Sequence, residues 1–212
     1  MRIISGIYSG MKINGVEGYT ARPTSDFVRE MLFSTLYSLD IKADNVLDLY
    51  AGSGALGFEA LSRGASEITF VDGSKKSIST IISNSIILKC QDKCKIVLKK
   101  VENYLGVRSS EFGVRNSELP PPCSLRSGGG RGGQFDLIFA DPPYNKGLVN
   151  ETIRMIFEKE ILAKDGIIII EHSKTEPIED ELKEFVFKEK KTATIVVSFI
   201  KKTGNAGILP AK

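Results

Sequence analysis

The amino-acid sequence predicts a doubly wound α/β domain built on a mostly parallel, seven-stranded sheet. From residue 45 onwards, short segments rich in Val, Ile, Leu and Phe alternate with helical segments. Strands that are apolar on both faces belong to parallel sheets covered by helices on each side. A length of 212 residues with 42% hydrophobic content suits one such domain with a small extension.

Residues 1–40 are predicted to form an extension in front of the sheet. Residues 2–14 indicate two short strands around a glycine-containing turn, a β-hairpin. Apolar side chains then recur at helical spacing over residues 25–39. Thr24 or Ser25 can cap this helix, and Asp26 suits its positively polarised first turn.

Residues 41–202 are predicted to form the main domain. Strands are expected at residues 45–50, 67–72, 94–100, 135–141 and 166–173, with two more, antiparallel to each other at the sheet edge, within 184–202. Helices are expected at residues 56–63, 74–89 and 147–162. Residues 106–134 are rich in Gly, Ser, Pro and Arg and predict a flexible insertion, while residues 203–212 predict a frayed tail.

Composition excludes several classes of protein. The net charge of +3 is too small to indicate a nucleic-acid partner by itself. No secretory signal is apparent, and the apolar runs are far shorter than a membrane helix, so a cytoplasmic protein without a membrane partner is expected. Cys90, Cys94 and Cys123 have no disulfide-framework spacing, and with His172 as the single histidine no metal site is expected.

A glycine-rich loop joins the first strand of the main domain to its first helix. Gly52, Gly54 and Gly57 fit the pattern G-x-G-x-x-G, which permits a tight turn, close backbone approach to a ligand and close helix packing. Asp72 ends the next strand, where a carboxylate can hold ribose hydroxyls. A nucleoside-containing cofactor is therefore predicted. Asp48 favours S-adenosylmethionine over NAD, because its charge complements an ammonium group or helps to organise the loop, but the loop alone leaves both cofactors open.

The stretch "FDLIFADPPYNKG", residues 135–147, ends a buried strand on an acid, two prolines and an aromatic residue. Prolines cannot continue a sheet ladder, so they stiffen this corner. The carboxylate of Asp141 and the carbonyl of Pro142 can each accept one N–H of an exocyclic base amine, and Pro143 helps to hold them in place. Tyr144 offers a ring on which a base can stack. This chemistry favours methyl transfer to an amine.

The sequence resembles the bacterial 16S rRNA (guanine(966)-N(2))-methyltransferases, a family of class I methyltransferases with a Rossmann-like fold. The matching segments are "RIISGIYSGMKI", "ARPTSDFVREMLFSTL", "LDLYAGSGALGFEALSRGA" and "FADPPYNKG". The resemblance implies S-adenosyl-L-methionine as cofactor and 16S rRNA, in an assembling small ribosomal subunit, as partner. A monomer is expected.

The resemblance also implies roles for individual residues. The implied catalytic residues are Asp141, Pro142, Pro143 and Tyr144. The implied cofactor-binding residues are Asp48, Ala51, Gly52, Ser53, Gly54, Gly57, Asp72 and Val101. Lys100-Val101 stands where the family has a small polar or acidic residue followed by alanine, so the adenine contact at Val101 is expected to come from the backbone. Arg22, Thr24 and Arg29 are implied as RNA contacts or as loop-organising ion pairs.

Other functions stay open at this stage. An adenine-N6 methyltransferase acting on DNA or RNA would use the same Asp-Pro-Pro-Tyr chemistry. A non-catalytic rRNA-binding assembly factor could retain the cofactor pocket. An NAD oxidoreductase would share the glycine loop, but it has no use for the corner at Asp141.

Overall fold

The computed structural model describes residues 1–18, 26–106 and 134–202. Arg22 and Thr24, nearly all of the predicted insertion and the predicted tail lie outside the described residues. The proposed boundaries of the extension, main domain and insertion stay predictions.

The core of the molecule is one sheet of seven strands in the order β3-β2-β1-β4-β5-β7-β6. The strands are β1 (Asn45–Leu49), β2 (Glu67–Asp72), β3 (Cys94–Leu98), β4 (Phe135–Ala140), β5 (Leu162–Ser173), β6 (Val186–Lys191) and β7 (Ile195–Ile200). The first five strands pair in parallel, whereas β7 pairs antiparallel with both β5 and β6. The predicted fold class is confirmed, because helices cover this mostly parallel sheet on both faces.

Helices precede or separate most of the strands and bury apolar side chains against the sheet. They are α1 (Asp26–Ser38), α2 (Ala55–Ser62), α3 (Lys75–Ile87), α4 (Val101–Gly106), α5 (Leu148–Glu158) and α6 (Asp180–Lys183). One hydrophobic core contains buried residues of α1, α2 and α3, and a second contains those of α4, α5 and α6. Burying apolar side chains on both faces of the sheet is the main force that holds the layers together.

Several element boundaries differ from the sequence prediction. Strand β5 begins at Leu162, before the glycine at which the strand was expected to start. Helices α4 and α6 were not predicted, because each spans too few residues to show a helical period. No helix among the three described ranges is long and apolar enough to cross a membrane.

The predicted N-terminal hairpin forms only in part. Arg2 and Lys12 make a single isolated antiparallel bridge, and no longer ladder forms within residues 1–18. The backbone N–H groups of Ile4 and Ser5 donate instead to the carboxylate of Glu59 on α2, at 2.8 and 3.0 Å. The N–H of Met11 donates to the carbonyl of Tyr8 and the N–H of Ser5 to Glu59, so neither is available to extend the ladder beyond Ile3. The segment is therefore held both by its own hydrogen bonds, such as that from the N–H of Ile3 to the carbonyl of Met11 at 3.0 Å, and by bonds to the main domain.

Candidate active site

The glycine loop leaves β1 through a series of left-handed backbone conformations. Tyr50, Gly52 and Gly54 have φ of 57°, 56° and 78°. The N–H of Gly54 donates to the carbonyl of Ala51 at 2.7 Å and closes the turn. Glycine adopts such angles at little cost, which explains its presence at positions 52 and 54. The loop thus turns sharply at the carboxyl end of β1, where open α/β sheets bind ligands.

Gly57 lies in the first turn of α2, against β2. A Cβ atom at this position would lie 2.2 Å from Cδ1 of Ile68 and 2.4 Å from Cε1 of Phe70. Only a glycine allows the helix to approach the strand so closely. The predicted reason for the third glycine, close packing of helix and strand, agrees with this geometry.

Asp72 connects the glycine loop to the start of α3. Its Oδ2 accepts the N–H of Gly52 at 2.9 Å, and its Oδ1 accepts the N–H of Ser74 at 2.7 Å. A carboxylate oxygen has two lone pairs, so each of these oxygens can still accept a further hydrogen bond. Asp72 lies where the sequence predicted an acceptor for ribose hydroxyls, and its side chain is already oriented by the backbone.

Asp48 lies beneath the glycine loop rather than in its mouth. Its side chain is buried, and its Oδ2 accepts the N–H of Gly57 at 3.1 Å. Burial raises the pKa of Asp48 well above its ordinary range; the Gly57 hydrogen bond opposes this shift, and the negative charges of Asp141 and Asp72 add to it. Of the two roles predicted for Asp48, this geometry favours organisation of the loop.

The Asp-Pro-Pro-Tyr corner begins where β4 ends. Strands β1 and β4 are hydrogen-bonded neighbours, with Leu49 opposite Ala140, so Asp141 emerges beside the start of the glycine loop. Pro142 is buried, whereas Tyr144 is 38% exposed. The hydroxyl of Tyr144 donates to Oε1 of Glu171 at 2.5 Å. The topology thus brings the predicted acceptors and the predicted cofactor loop to the same edge of the sheet.

The remainder of the corner is connected to the loop after β5. The N–H of Asn145 donates to Oε2 of Glu176 at 2.5 Å, and the hydroxyl of Thr175 donates to the side-chain carbonyl of Asn145 at 2.9 Å. These contacts restrain the corner on its outer side. A preformed pair of acceptors requires such restraint.

The segment predicted to face the adenine lies beyond β3. The N–H of Lys99 donates to the carbonyl of Asp72 at 3.1 Å, and Val101 begins α4 with its side chain buried. Because β3 is the neighbour of β2, this segment lies next to the acid that ends β2. The Val101 side chain is buried, and the expected backbone contact of Val101 with an adenine stays a prediction.

Arg29 does not lie at an RNA-accessible surface. Its side chain is fully buried, pairs with Asp26, lies 3.9 Å from Oε2 of Glu59 and donates to the carbonyl of Arg2 at 3.1 Å. A guanidinium enclosed in this way cannot reach a phosphate. The predicted RNA contact at Arg29 is wrong, and the alternative of an organising ion pair is what the structure shows.

His172 is a structural residue near the end of β5. It is 3% exposed, and its Nδ1 lies 3.0 Å from the carbonyl of Glu176, while its Nε2 lies 3.0 Å from the hydroxyl of Ser198. Both ring nitrogens are therefore used within the fold. His172 is not available to a substrate.

Two residues that contact this region were missing from the sequence-based set. Glu171 lies in the buried part of β5, two residues before the strand ends, and the signal for it was an acid close to the carboxyl end of a strand next to β4. Asn84 lies on α3, at a spacing that continues the buried face of Ile78 and Ile81. Its signal was a polar residue at a core position, which calls for specific hydrogen-bond partners.

A model of the protein family described as "Conserved hypothetical protein 95" matches residues 1–114 and 123–201. The chain belongs to this family. The unmatched internal residues, 115–122, lie within the predicted insertion. The match spans both the N-terminal segment and the complete edge of the sheet that carries the site.

Related proteins carry a more specific name. The ribosomal RNA small subunit methyltransferase D of Haemophilus influenzae is 31% identical over 195 residues, which are 92% of this chain and 90% of that protein. The protein of the same name from Escherichia coli K12 is 31% identical over 171 residues, which are 81% of this chain and 74% of that protein. The resemblance to the small-subunit rRNA methyltransferase family is thereby confirmed.

Two further comparisons bear on fold and on the alternatives. The solved structure of an Escherichia coli protein named as a methyltransferase superposes with a TM-score of 0.72 at 28% identity, over 94% of this chain and 96% of that one. A tRNA1(Val) (adenine(37)-N6)-methyltransferase of Shewanella woodyi is 28% identical over 114 residues, which are 54% of this chain and 39% of that protein. The Rossmann-like methyltransferase fold is confirmed by the first of these.

Proposed function

We propose that this protein is an S-adenosylmethionine-dependent methyltransferase that methylates the exocyclic N2 amine of a guanine in 16S rRNA, the guanine-966 class of target. The observation that carries the proposal is the pairing of β1 with β4, which puts Asp141 beside the glycine loop. The names of the relatives, small-subunit rRNA methyltransferases, support the substrate class.

The residues around the loop fit this cofactor. S-adenosylmethionine, when bound, supplies an electrophilic methyl group. Asp72 retains acceptor capacity for ribose hydroxyls beside the backbone of Gly52. A Cβ at Gly52 would have no atom nearer than 3.9 Å, so the loop leaves open space on that side. Ala51, Ser53 and Gly54 would hold the amino-acid end, and Val101 the adenine.

The corner supplies orientation to the amine. The lone pair of an exocyclic base amine is delocalised into the ring, so the nitrogen is a poor nucleophile. Accepting one N–H each, the carboxylate of Asp141 and the carbonyl of Pro142 would direct the nitrogen toward the methyl group and stabilise its developing positive charge. After transfer the nitrogen releases a proton, which the carboxylate of Asp141 can accept. Tyr144 would support the unstacked base through its exposed ring.

Guanine is proposed because the sequence resembles the guanine-N2 methyltransferase family, and the extent of the relationships weighs against adenine-N6 methylation. An adenine-N6 amine would find the same acceptors at the corner, so the chemistry admits both bases. The adenine-N6 relative corresponds to 54% of this chain, whereas the small-subunit relative from Haemophilus influenzae corresponds to 92%. Adenine-N6 methylation is therefore the second candidate.

Mass mapping of rRNA from cells with and without the gene tests the proposal directly. Loss of one N2-methylguanine from 16S rRNA is expected, and a missing N6-methyladenine would instead support the second candidate. The purified Asp141→Ala variant should bind S-adenosylhomocysteine like the wild type but should not methylate RNA. Methylation by Asp141→Ala at the wild-type rate would refute the role of the corner. If the rRNA of cells with and without the gene showed no difference in methylation while the purified protein bound 16S rRNA, the protein would be an assembly factor.

A further inference from the structure

One buried side chain, Asn84 on α3, joins the N-terminal segment (residues 1–14) to the glycine loop. Asn84 is fully buried. Its Oδ1 accepts the N–H of Asn14 at 2.7 Å. Its Nδ2 donates to the carbonyl of Asn14 and to the carbonyl of Ser53, both at 3.0 Å. Both N–H groups of the amide are thus used, one on the N-terminal segment and the other on the loop.

The backbone of Asn14 determines which way the Asn84 amide faces. A flipped amide would set its nitrogen against the N–H of Asn14 and its oxygen against two carbonyls. The observed orientation is the one that pairs every donor with an acceptor. It directs the second N–H at Ser53, between the two glycines of the loop. The position of the Ser53 carbonyl therefore depends on residue 14, far away in sequence.

The N-terminal segment also holds the helix that follows the loop. The N–H of Ile7 donates to the carbonyl of Ser62 on α2 at 2.8 Å, and the N–H of Tyr8 donates to the hydroxyl of Ser62 at 3.0 Å. Glu59, on the same helix, accepts from two further backbone N–H groups of the segment. The sulfur of Met1 lies 3.9 Å from the hydroxyl of Ser53. The segment contacts the loop itself and the helices on both sides of it.

We infer that residues 1–14 form part of the cofactor site and that Asn84 is the positioning residue that joins them to the glycine loop. The identity of the cofactor rests on the proposed function. Glycines 52 and 54 give the loop many backbone conformations, and a ligand binds less tightly when the competent one is only partly populated. Fixing the carbonyl of Ser53 raises that population before the cofactor arrives. The N-terminal segment thus preorganises the loop.

The isosteric variant Asn84→Asp tests this inference most sharply. It replaces the Nδ2 donor by an oxygen that faces the carbonyls of Asn14 and Ser53. Asn84→Ala removes the same bonds without the repulsion and serves if the first variant does not fold. Ser83→Ala is the matched control, because it removes only the exposed 3.3 Å bond between the Asn14 side chain and the Ser83 hydroxyl.

Calorimetric titration with S-adenosylhomocysteine, well below the melting temperature, should show binding weakened at least about tenfold in the Asn84 variants. Ser83→Ala should bind like the wild type. In methylation assays the KM for S-adenosylmethionine should rise while kcat at saturating cofactor stays near the wild-type value. A side chain that served folding alone would not produce this division between KM and kcat.

Hydrogen exchange gives a readout that needs no cofactor. In Asn84→Ala, backbone amides of both the glycine loop and residues 1–14 should exchange faster than in Ser83→Ala. Folded Asn84 variants with wild-type affinity for S-adenosylhomocysteine would overturn the inference and leave the proposed function intact. If the wild type itself did not bind this ligand, the proposed cofactor would be wrong. Hydrogen exchange would then decide the inference, and unchanged exchange in the loop would overturn it.

Discussion

The hydroxyl of Tyr144, in the corner after β4, is bonded to the buried carboxylate of Glu171, at the end of β5, across 2.5 Å. Glu171 is 6% exposed, whereas Tyr144 is 38% exposed. The ring is thus fixed at its polar end while part of its surface stays open. Burial raises the pKa of Glu171 and the Tyr144 hydrogen bond opposes that shift, so the contact also stabilises a buried charge.

Removing this hydrogen bond should weaken methylation without affecting the cofactor. We expect Tyr144→Phe and Glu171→Ala each to lower kcat/KM for RNA by about tenfold, because a base stacks less well on a ring that is free to turn. Glu171→Gln retains an acceptor oxygen and should stay close to the wild type. The measurement is steady-state methylation of an rRNA fragment, with affinity for S-adenosylhomocysteine as the control.

The double variant Tyr144→Phe/Glu171→Ala should be no worse than the more damaging single variant, because the two residues act through one bond. Additive losses in kcat/KM would show that Tyr144 and Glu171 act separately.

We expect the buried carboxylate of Asp48 to organise the glycine loop and, when charged, to lower the free energy of unfolding. An acid whose pKa is higher in the folded than in the unfolded state binds more protons when folded, so the free energy of unfolding falls as the pH rises from the ordinary value of 3.8 through the raised one. Asp48→Asn removes this dependence. At pH 8 its free energy of unfolding should exceed that of the wild type by at least about 1 kcal/mol, while cofactor affinity falls.

Urea unfolding at pH 5 and pH 8 measures the effect of Asp48→Asn. Asp40→Asn, at a side chain that is 91% exposed, is the control and should leave the free energy of unfolding unchanged at both pH values. If Asp48→Asn were less stable than the wild type at pH 8, the interpretation that the charge on the buried Asp48 carboxylate lowers stability would be wrong.

Arg29 should matter for stability rather than for RNA affinity. The side chains of Arg29 and Glu59 are both fully buried. Arg29→Ala removes the partner of Asp26 and leaves the buried Glu59 with Arg63 alone, at 2.8 Å, so it should lower the free energy of unfolding by about 3 kcal/mol. Arg154→Ala breaks an exposed pair with Glu179 and should cost less than about 1 kcal/mol. Denaturant unfolding compares the loss in free energy of unfolding of the two variants. Equal losses, or a selective loss of RNA affinity in Arg29→Ala, would restore the interpretation of Arg29 as a phosphate contact.

The sequence predicted correctly those elements that a single hydrophobic period or a single local motif determines. Strand β2 and the turn at Gly52–Gly57 follow from local patterns, and the pairing of β1 with β4 follows from the general topology of doubly wound sheets. An ion pair at Arg29 was among the predicted alternatives, and its partner Asp26 lies within one helical turn. The burial of Arg29 beside Glu59 could not be predicted, because Glu59 is distant in sequence and resembles a helix-surface acid. The hairpin is truncated partly for the same reason, since the carboxylate of Glu59 takes the N–H of Ser5, which a longer ladder would need.

Gly57 offers the most direct test of the contact between α2 and β2. Adding one methyl group in Gly57→Ala sets a Cβ against Ile68 and Phe70, which must shift by more than an ångström if α2 keeps its place. Overpacking of this kind costs about 1–3 kcal/mol of stability. The displaced helix would carry the N–H of Gly57 away from Asp48, so cofactor affinity should fall as well. Gly15→Ala, where a Cβ would meet nothing within 4 Å, is the control for the substitution itself. Thermal unfolding and titration with S-adenosylhomocysteine measure both effects, and a Gly57→Ala variant as stable as Gly15→Ala would show that the helix can move away from the sheet without penalty.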